Sequence, residues 1–146
     1  MKKISSIAVY CGSSVGNDHL FFEEAEKIGK FLADNSIKLI YGGGNLGLMG
    51  AVSSAALKNG GAVMGVITSH LINKEKINED LTDIHIVDSM SERKNKMFNA
   101  SDAFLVLPGG IGTLEEFFEV LSWKQLKLHS KDIFIYNINN YWDGIS

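Results

Sequence analysis

Residues 39–50 read LIYGGGNLGLMG, so a short apolar run passes directly into a glycine-rich loop and then into a helical pattern. Residues 104–116, FLVLPGGIGTLEE, repeat this order. Glycine lets the backbone turn sharply and lets a ligand approach the amides, while the helix behind it offers unpaired N–H groups and a partial positive charge. The two units therefore predict a phosphate-bearing, mononucleotide-like ligand at the carboxyl ends of parallel strands.

Short apolar runs alternate with helical patterns along the chain. The runs are continuous in hydrophobicity, which is typical of strands buried on both faces. They cover residues 7–10, 39–41, 63–67, 84–87, 104–107 and 133–136. This alternation predicts an α/β fold with a doubly wound parallel sheet, in a single domain over residues 1–146.

Helices are expected between these runs. The first has an apolar face and Asp18 as its N-cap, the second covers residues 49–58, and the third opens with a capping box at residues 89–92 and runs to Ala100. The fourth is expected from Thr113 to Lys127. Residues 68–83 form the longest irregular stretch, where a lid or site loop can form.

The composition and charge of the chain argue against several classes of protein. The net charge is −3, so there is no basic surplus for nucleic acid, and no apolar run approaches the roughly 20 residues that span a bilayer. Cys11, the single cysteine, is expected to be a small buried residue rather than a nucleophile. The histidines lack metal-ligand spacing. We expect a cytoplasmic protein without a metal or a cofactor.

Two polar pairs stand out. Glu115 and Glu116 follow Thr113 in the expected first turn of the fourth helix, where they either satisfy the helix dipole or stabilise an oxocarbenium-like centre and orient water. Arg93 is the only arginine in the chain, and Lys94 follows it. These two residues form either a solvated helix face or a site in which Arg93 holds a phosphate or ribose oxygen through its forked donors.

The stretch PGGIGTLEE, residues 108–116, resembles the PGGxGTxxE signature of the LOG family of nucleoside 5′-monophosphate phosphoribohydrolases. Other segments agree with this family in order and spacing: VYCGSS at residues 9–14, YGGG through GLMG at residues 41–50, and SMSERK at residues 89–94. The resemblance covers nearly the whole chain. It implies a Rossmann-like fold, a homodimer or larger assembly, and cleavage of the N-glycosidic bond of adenosine-type nucleoside 5′-monophosphates.

The resemblance also implies roles for individual residues. Arg93 and Glu116 would be the catalytic pair. Residues that would bind the nucleoside monophosphate are Gly43, Gly44, Glu75, Lys94, Gly109, Gly110, Gly112, Thr113 and Glu115. Some family members carry an older lysine decarboxylase label, but nothing in this sequence marks a lysine for pyridoxal phosphate.

The chain departs from the family pattern in three places. Ser91 stands where histidine is usual, Asp132 stands where proline is common, and the sequence stops at Ser146, so we expect a C-terminal part to be missing. The alternative function is a nucleotide-binding sensor or carrier without catalysis. Arg93 and Glu116 favour the enzyme, and the short C-terminus favours the binding protein.

Overall fold

A computed structural model describes residues 3–12, 19–72, 77–81, 83–109 and 111–136. Over these residues the strands are β1 (Ser6–Tyr10), β2 (Lys38–Tyr41), β3 (Val63–Thr68), β4 (Asp83–Val87), β5 (Ala103–Val106) and β6 (Asp132–Ile135). The α-helices are α1 (His19–Asp34), α2 (Gly47–Lys58), α3 (Met90–Ala100) and α4 (Ile111–Gln125), and a 3₁₀ helix covers Ser69–Leu71. Each predicted strand and helix is present, with ends that differ by one or two residues from those expected.

The strands form one parallel sheet in the order β4-β3-β2-β1-β5-β6. The chain moves outward from β1 to β4 and then returns to place β5 on the other side of β1. The strand order therefore reverses between β1 and β5, which confirms the doubly wound prediction. In open α/β sheets, ligands bind outside the carboxyl ends of the strands at such a reversal.

Two apolar clusters fill the space on either side of the sheet. One face packs against α1 and α2 through residues such as Leu32, Leu39 and Val52, and the other packs against α3 and α4 through Met97 and Phe117. At Gly29 of α1 an added Cβ would collide with the Val52 carbonyl of α2, so glycine lets these two helices pack closely. The sheet is therefore covered on both faces, as a parallel sheet requires.

Three expectations need correction. β4 and β6 are edges of the sheet over the described residues and are only partly buried, so burial on both faces holds for the inner strands alone. The fourth helix begins at Ile111 rather than Thr113, because glycine is tolerated in a first turn whose amides have no helical partner. Glu115 and Glu116 consequently lie in its second turn. The helix ends at Gln125, just before Lys127, whose φ of 63° is left-handed.

Candidate active site

The loops that follow β1, β2 and β5 meet at the carboxyl edge of the sheet. The amide of Gly12 donates to the Pro108 carbonyl at 3.0 Å, and the amide of Met49 donates to the Gly12 carbonyl at 3.3 Å. A Cβ on Gly109 would collide with the side chain of Thr113 and approach the Gly12 amide. Glycine at position 109 therefore lets the two predicted phosphate loops approach the end of β1.

Arg93 lies buried in this region, with 4% of its surface exposed. Its Nε donates to the Val66 carbonyl of β3 and its Nη2 donates to the Gly42 carbonyl after β2, both at 2.9 Å. A Cβ on Gly42 would overlap Nη2. The alternative of a solvated Arg93 is therefore wrong, because the guanidinium is fixed between the ends of two strands.

Glu116 approaches the same region from α4. Burial raises the pKa of the Tyr10 hydroxyl above its ordinary value, and the negative charges of Glu116 and Glu119 raise it further, while Arg93 acts in the opposite direction. The two predicted catalytic residues, Arg93 and Glu116, thus both act electrostatically on the end of β1. Cys11 is buried, as expected, and burial, and after it Glu116, raises the pKa of its thiol, which disfavours the thiolate that a nucleophile requires.

Lys94 and Glu115 bind each other. Lys94 Nζ lies 2.5 Å from Glu115 Oε1 and 2.8 Å from Glu119 Oε2, so it joins α3 to α4. The hydrogen bonds that Lys94 donates to Glu115 and, with a smaller effect, to Glu119 raise the pKa of Lys94. Sequence reasoning missed Glu119, although its position four residues after Glu115 places it on the same helix face. Contact of Lys94 and Glu115 with substrate stays a prediction.

The first glycine loop, residues 42–44, is held from several sides. Gly43 has a φ of 81° and its carbonyl accepts the amide of Asn78 at 3.1 Å. Gly44 forms an isolated antiparallel bridge with Ile77. Ile77 and Asn78, two residues of the expected site loop, therefore lie against this glycine loop, and sequence reasoning did not single out Asn78.

The remaining predicted residues divide into two groups. Thr113 is buried and Gly112 is exposed in the first turn of α4. Glu75, Gly110 and the expected N-cap Asp18 lie outside the described residues.

Among the described side chains no three of histidine, cysteine, aspartate or glutamate come together as a metal site. No helix in the described part of the chain is long and apolar enough to cross a membrane.

The strand order and the two glycine loops define a Rossmann-like α/β protein. The family model described as "Possible lysine decarboxylase" matches residues 49–146. Curated relatives carry a different name, cytokinin riboside 5′-monophosphate phosphoribohydrolase. One from Rhodococcoides fascians is 44% identical over 94% of this chain and 70% of its own, and one from Arabidopsis thaliana is 41% identical over 98% and 67%. The chain belongs to this family, the LOG family.

Two further findings set the limits of the comparison. The chain spans 60% and 56% of the length of two rice (Oryza sativa subsp. japonica) relatives, named as probable enzymes of the same kind, at 45% and 43% identity. The molybdenum cofactor carrier protein of Chlamydomonas reinhardtii superposes with a TM-score of 0.74, over 91% of this chain and 76% of that one. Its sequence identity is 22%, so this likeness shows the fold alone.

Proposed function

We propose that this chain hydrolyses the N-glycosidic bond of adenosine-type nucleoside 5′-monophosphates, either AMP or cytokinin riboside monophosphates. The hydroxyl of a water molecule adds to C1′ of the ribose as the bond from C1′ to the base nitrogen breaks, and the proton of the water goes to the base. The products are the free base and ribose 5-phosphate. The observation that carries the proposal is the buried Arg93 side chain, whose guanidinium donates to the Val66 carbonyl of β3 and to the Gly42 carbonyl of the glycine loop after β2. The relatives named for this reaction support it.

The phosphate is proposed to bind at residues 109–113, which comprise the end of the loop after β5 and the first turn of α4. The helix N-terminus there provides amides and a partial positive charge for an anion. Gly109 precedes the helix, Gly112 and Thr113 lie in its first turn, and the buried Thr113 side chain packs against Gly109. The ribose and base then extend toward the ends of β1 and β2, where Gly43 and Gly44 lie.

Glu116 is proposed to act on the reacting carbon. As the glycosidic bond breaks, positive charge develops on the ribose ring, and an ionised carboxylate stabilises this charge or orients the attacking water. Arg93 is a permanently charged donor and is not proposed as a general acid. Its fixed positive charge instead attracts the anionic substrate and holds the Gly42 carbonyl in place.

We also propose a cytoplasmic homodimer that does not bind nucleic acid, on three observations. α4 buries Phe117 and Val120 but exposes Phe118 and Leu121, so it has more apolar surface than one sheet face covers. The net charge of −3 disfavours phosphodiester backbones. The buried reduced Cys11 suits a reducing compartment.

The test is direct. The purified protein is incubated with AMP, and free adenine and ribose 5-phosphate are measured by chromatography, with Glu116→Gln as the control. Equal amounts of both products, formed by the wild type and not by the control, support the proposal. A cytokinin riboside monophosphate is tested in the same way, and saturable binding of both nucleotides with no base released from either would overturn the proposal in favour of a nucleotide-binding protein without catalysis.

A further inference from the structure

Three polar side chains are buried together beneath the glycine loop of residues 42–44. They are Tyr41 at the end of β2, Ser53 in α2 and Asn78 in the segment between β3 and β4, and we call them the polar cluster. Their exposed fractions are 0%, 0% and 2%. Burying polar groups is costly unless they are hydrogen-bonded, so a cluster of this kind needs an explanation.

The polar cluster is connected internally. Asn78 Nδ2 donates to Ser53 Oγ at 3.1 Å, and Ser53 Oγ also donates to the Met49 carbonyl at 2.8 Å in the first turn of α2. Burial raises the pKa of Tyr41 to about 12, and hydrogen bonds with Ser53 and Asn78 partly oppose this rise. The Tyr41 hydroxyl therefore stays protonated at neutral pH and remains a hydrogen-bond donor.

The polar cluster donates to the glycine loop at two points. Tyr41 Oη donates to the Gly44 carbonyl at 3.0 Å, and the main-chain N–H of Asn78 donates to the Gly43 carbonyl at 3.1 Å. Arg93 donates to the remaining carbonyl, that of Gly42, at 2.9 Å. Three consecutive carbonyls thus accept from donors outside the loop, and none of these peptide groups can rotate without breaking a hydrogen bond.

This arrangement offsets the flexibility of three consecutive glycines. Glycine loses more conformational entropy on ordering than any other residue, so a Gly-Gly-Gly loop that has to close on a ligand would lose affinity. A loop that is already ordered avoids this cost at the moment of binding. The hydrogen bonds of the polar cluster also extend to the first turn of α2, so they fix the loop relative to that helix.

We propose that Tyr41, Ser53 and Asn78 are positioning residues that hold the glycine loop in the conformation that receives the substrate. This inference rests on the proposed function, because the substrate concerned is the nucleoside monophosphate. None of the three side chains is assigned contact with substrate. Tyr41 acts through the Gly44 carbonyl, and the bond between the Asn78 and Ser53 side chains fixes Asn78, whose main-chain N–H holds the Gly43 carbonyl, relative to α2.

The test uses two variants that remove single hydroxyl groups. Tyr41→Phe removes the donor to Gly44 at nearly constant shape, and Ser53→Ala removes the partner of Asn78. Ser101→Ala is the matched control, because Ser101 is equally buried and bonds the carbonyl four residues earlier, that of Met97, but lies at the amino end of β5. Two measurements are made on each protein: KM and kcat with AMP, and amide hydrogen exchange of peptides covering residues 41–48 and 77–81 without AMP.

Tyr41→Phe and Ser53→Ala are expected to raise KM about five- to tenfold with kcat changed less than about twofold, and to speed exchange in both peptides. Ser101→Ala should leave KM and both peptides unchanged. Faster exchange with wild-type KM, or unchanged exchange, would overturn the positioning role. If the wild type releases no base from either nucleotide, the proposed function fails, and KM is replaced by the Kd for AMP, with the same fold-change deciding the inference.

Discussion

Arg93 Nη2 donates to the carbonyl of Gly42 at 2.9 Å, and this hydrogen bond joins the first turn of α3 to the end of β2. It joins a residue of the predicted catalytic pair to the glycine loop that is predicted to contact substrate. The same guanidinium also holds the Val66 carbonyl of β3. The guanidinium group of Arg93 is therefore held in place by main-chain carbonyls at the sheet, although the side chain that carries it is long and flexible.

Arg93→Ala is expected to abolish AMP turnover and to lower the free energy of unfolding by about 3 kcal/mol, because two buried carbonyls lose a charged donor. Urea unfolding and AMP turnover are measured on the same preparation. Arg93→Lys keeps the charge but cannot reproduce the forked geometry, so it should recover part of the stability and little of the activity. A folded Arg93→Ala protein with near-wild-type turnover would exclude Arg93 from the mechanism.

Glu116→Gln is expected to lower kcat by about a hundredfold or more while the Kd for AMP changes little, since an amide keeps the shape but cannot stabilise developing positive charge. Rapid-quench turnover and calorimetric binding separate the two quantities. Glu119→Gln is the control on the same helix. If AMP affinity collapses and kcat survives, Glu116 is a binding residue and Glu115 becomes the catalytic candidate.

Thr68→Val is expected to stabilise the fold by about 1 kcal/mol, because Thr68 Oγ1 is fully buried and has no hydrogen-bond partner among the residues that the structure describes. Valine has nearly the same shape and removes the unpaired hydroxyl. Thermal unfolding would show a higher Tm for Thr68→Val and a lower Tm for Thr68→Ser, which keeps the hydroxyl and loses a methyl group. A lower Tm for the valine variant would show that the hydroxyl contributes to stability.

Asp83 should contribute a small, pH-dependent stabilisation. Lys38 hydrogen-bonds to its carboxylate and holds the pKa of Asp83 below its ordinary value, with His85 adding to the effect. Such stabilisation is present above the ordinary aspartate pKa and is lost as the pH falls through the lower folded-state value. Both side chains of the Lys38–Asp83 pair are about two-fifths exposed, so we expect about 0.5 kcal/mol or less.

The Asp83 prediction is checked by thermal unfolding between about pH 2 and pH 6. Asp83→Asn should have a slightly lower Tm than the wild type at the upper end of this range and the same Tm at the lower end. Lys38→Met should lower the Tm by the same amount at the upper end of the pH range, because it removes the partner of Asp83. A Tm difference that is constant across the range would mean that the Asp83 charge is not its source.

Phe118→Lys is expected to dissociate the proposed dimer, since Phe118 is 48% exposed on the apolar face of α4. Light scattering at micromolar concentration measures the mass of each protein. Phe31→Lys is the matched control, because Phe31 is 59% exposed on α1, away from α4. A wild-type protein that is a monodisperse monomer and still hydrolyses AMP would refute the dimer.

The secondary structure was largely predictable from the sequence. Inner strands of a parallel sheet are buried on both faces, so runs such as residues 104–107 stand out as continuous apolar stretches. Such runs identify the strands but do not show which strands are neighbours in the sheet. The run at residues 133–136 is as apolar as the inner ones, yet β6 lies at an edge over the described residues and is largely exposed.

Site residues could be predicted from the sequence only where a motif or a rare residue type marked them. Arg93 and Glu116 could be named from the signature and from the single arginine, but the carbonyls that hold Arg93 could not, because backbone acceptors leave no trace in a sequence. Asn78 was missed for a related reason. A polar residue in an irregular stretch looks solvated until the fold brings it against Ser53, which lies 25 residues earlier.

The central position of β1 has a consequence for how the chain folds. Ile7 pairs with Leu39 on one side and with Ala103 on the other, so one side of β1 has no native partner until the last third of the chain is available. During synthesis on a ribosome, the nascent N-terminal half therefore carries an open apolar edge. Contacts between such distant residues slow folding, and an unpaired edge is open to mispairing, so chaperones should raise the yield of this protein.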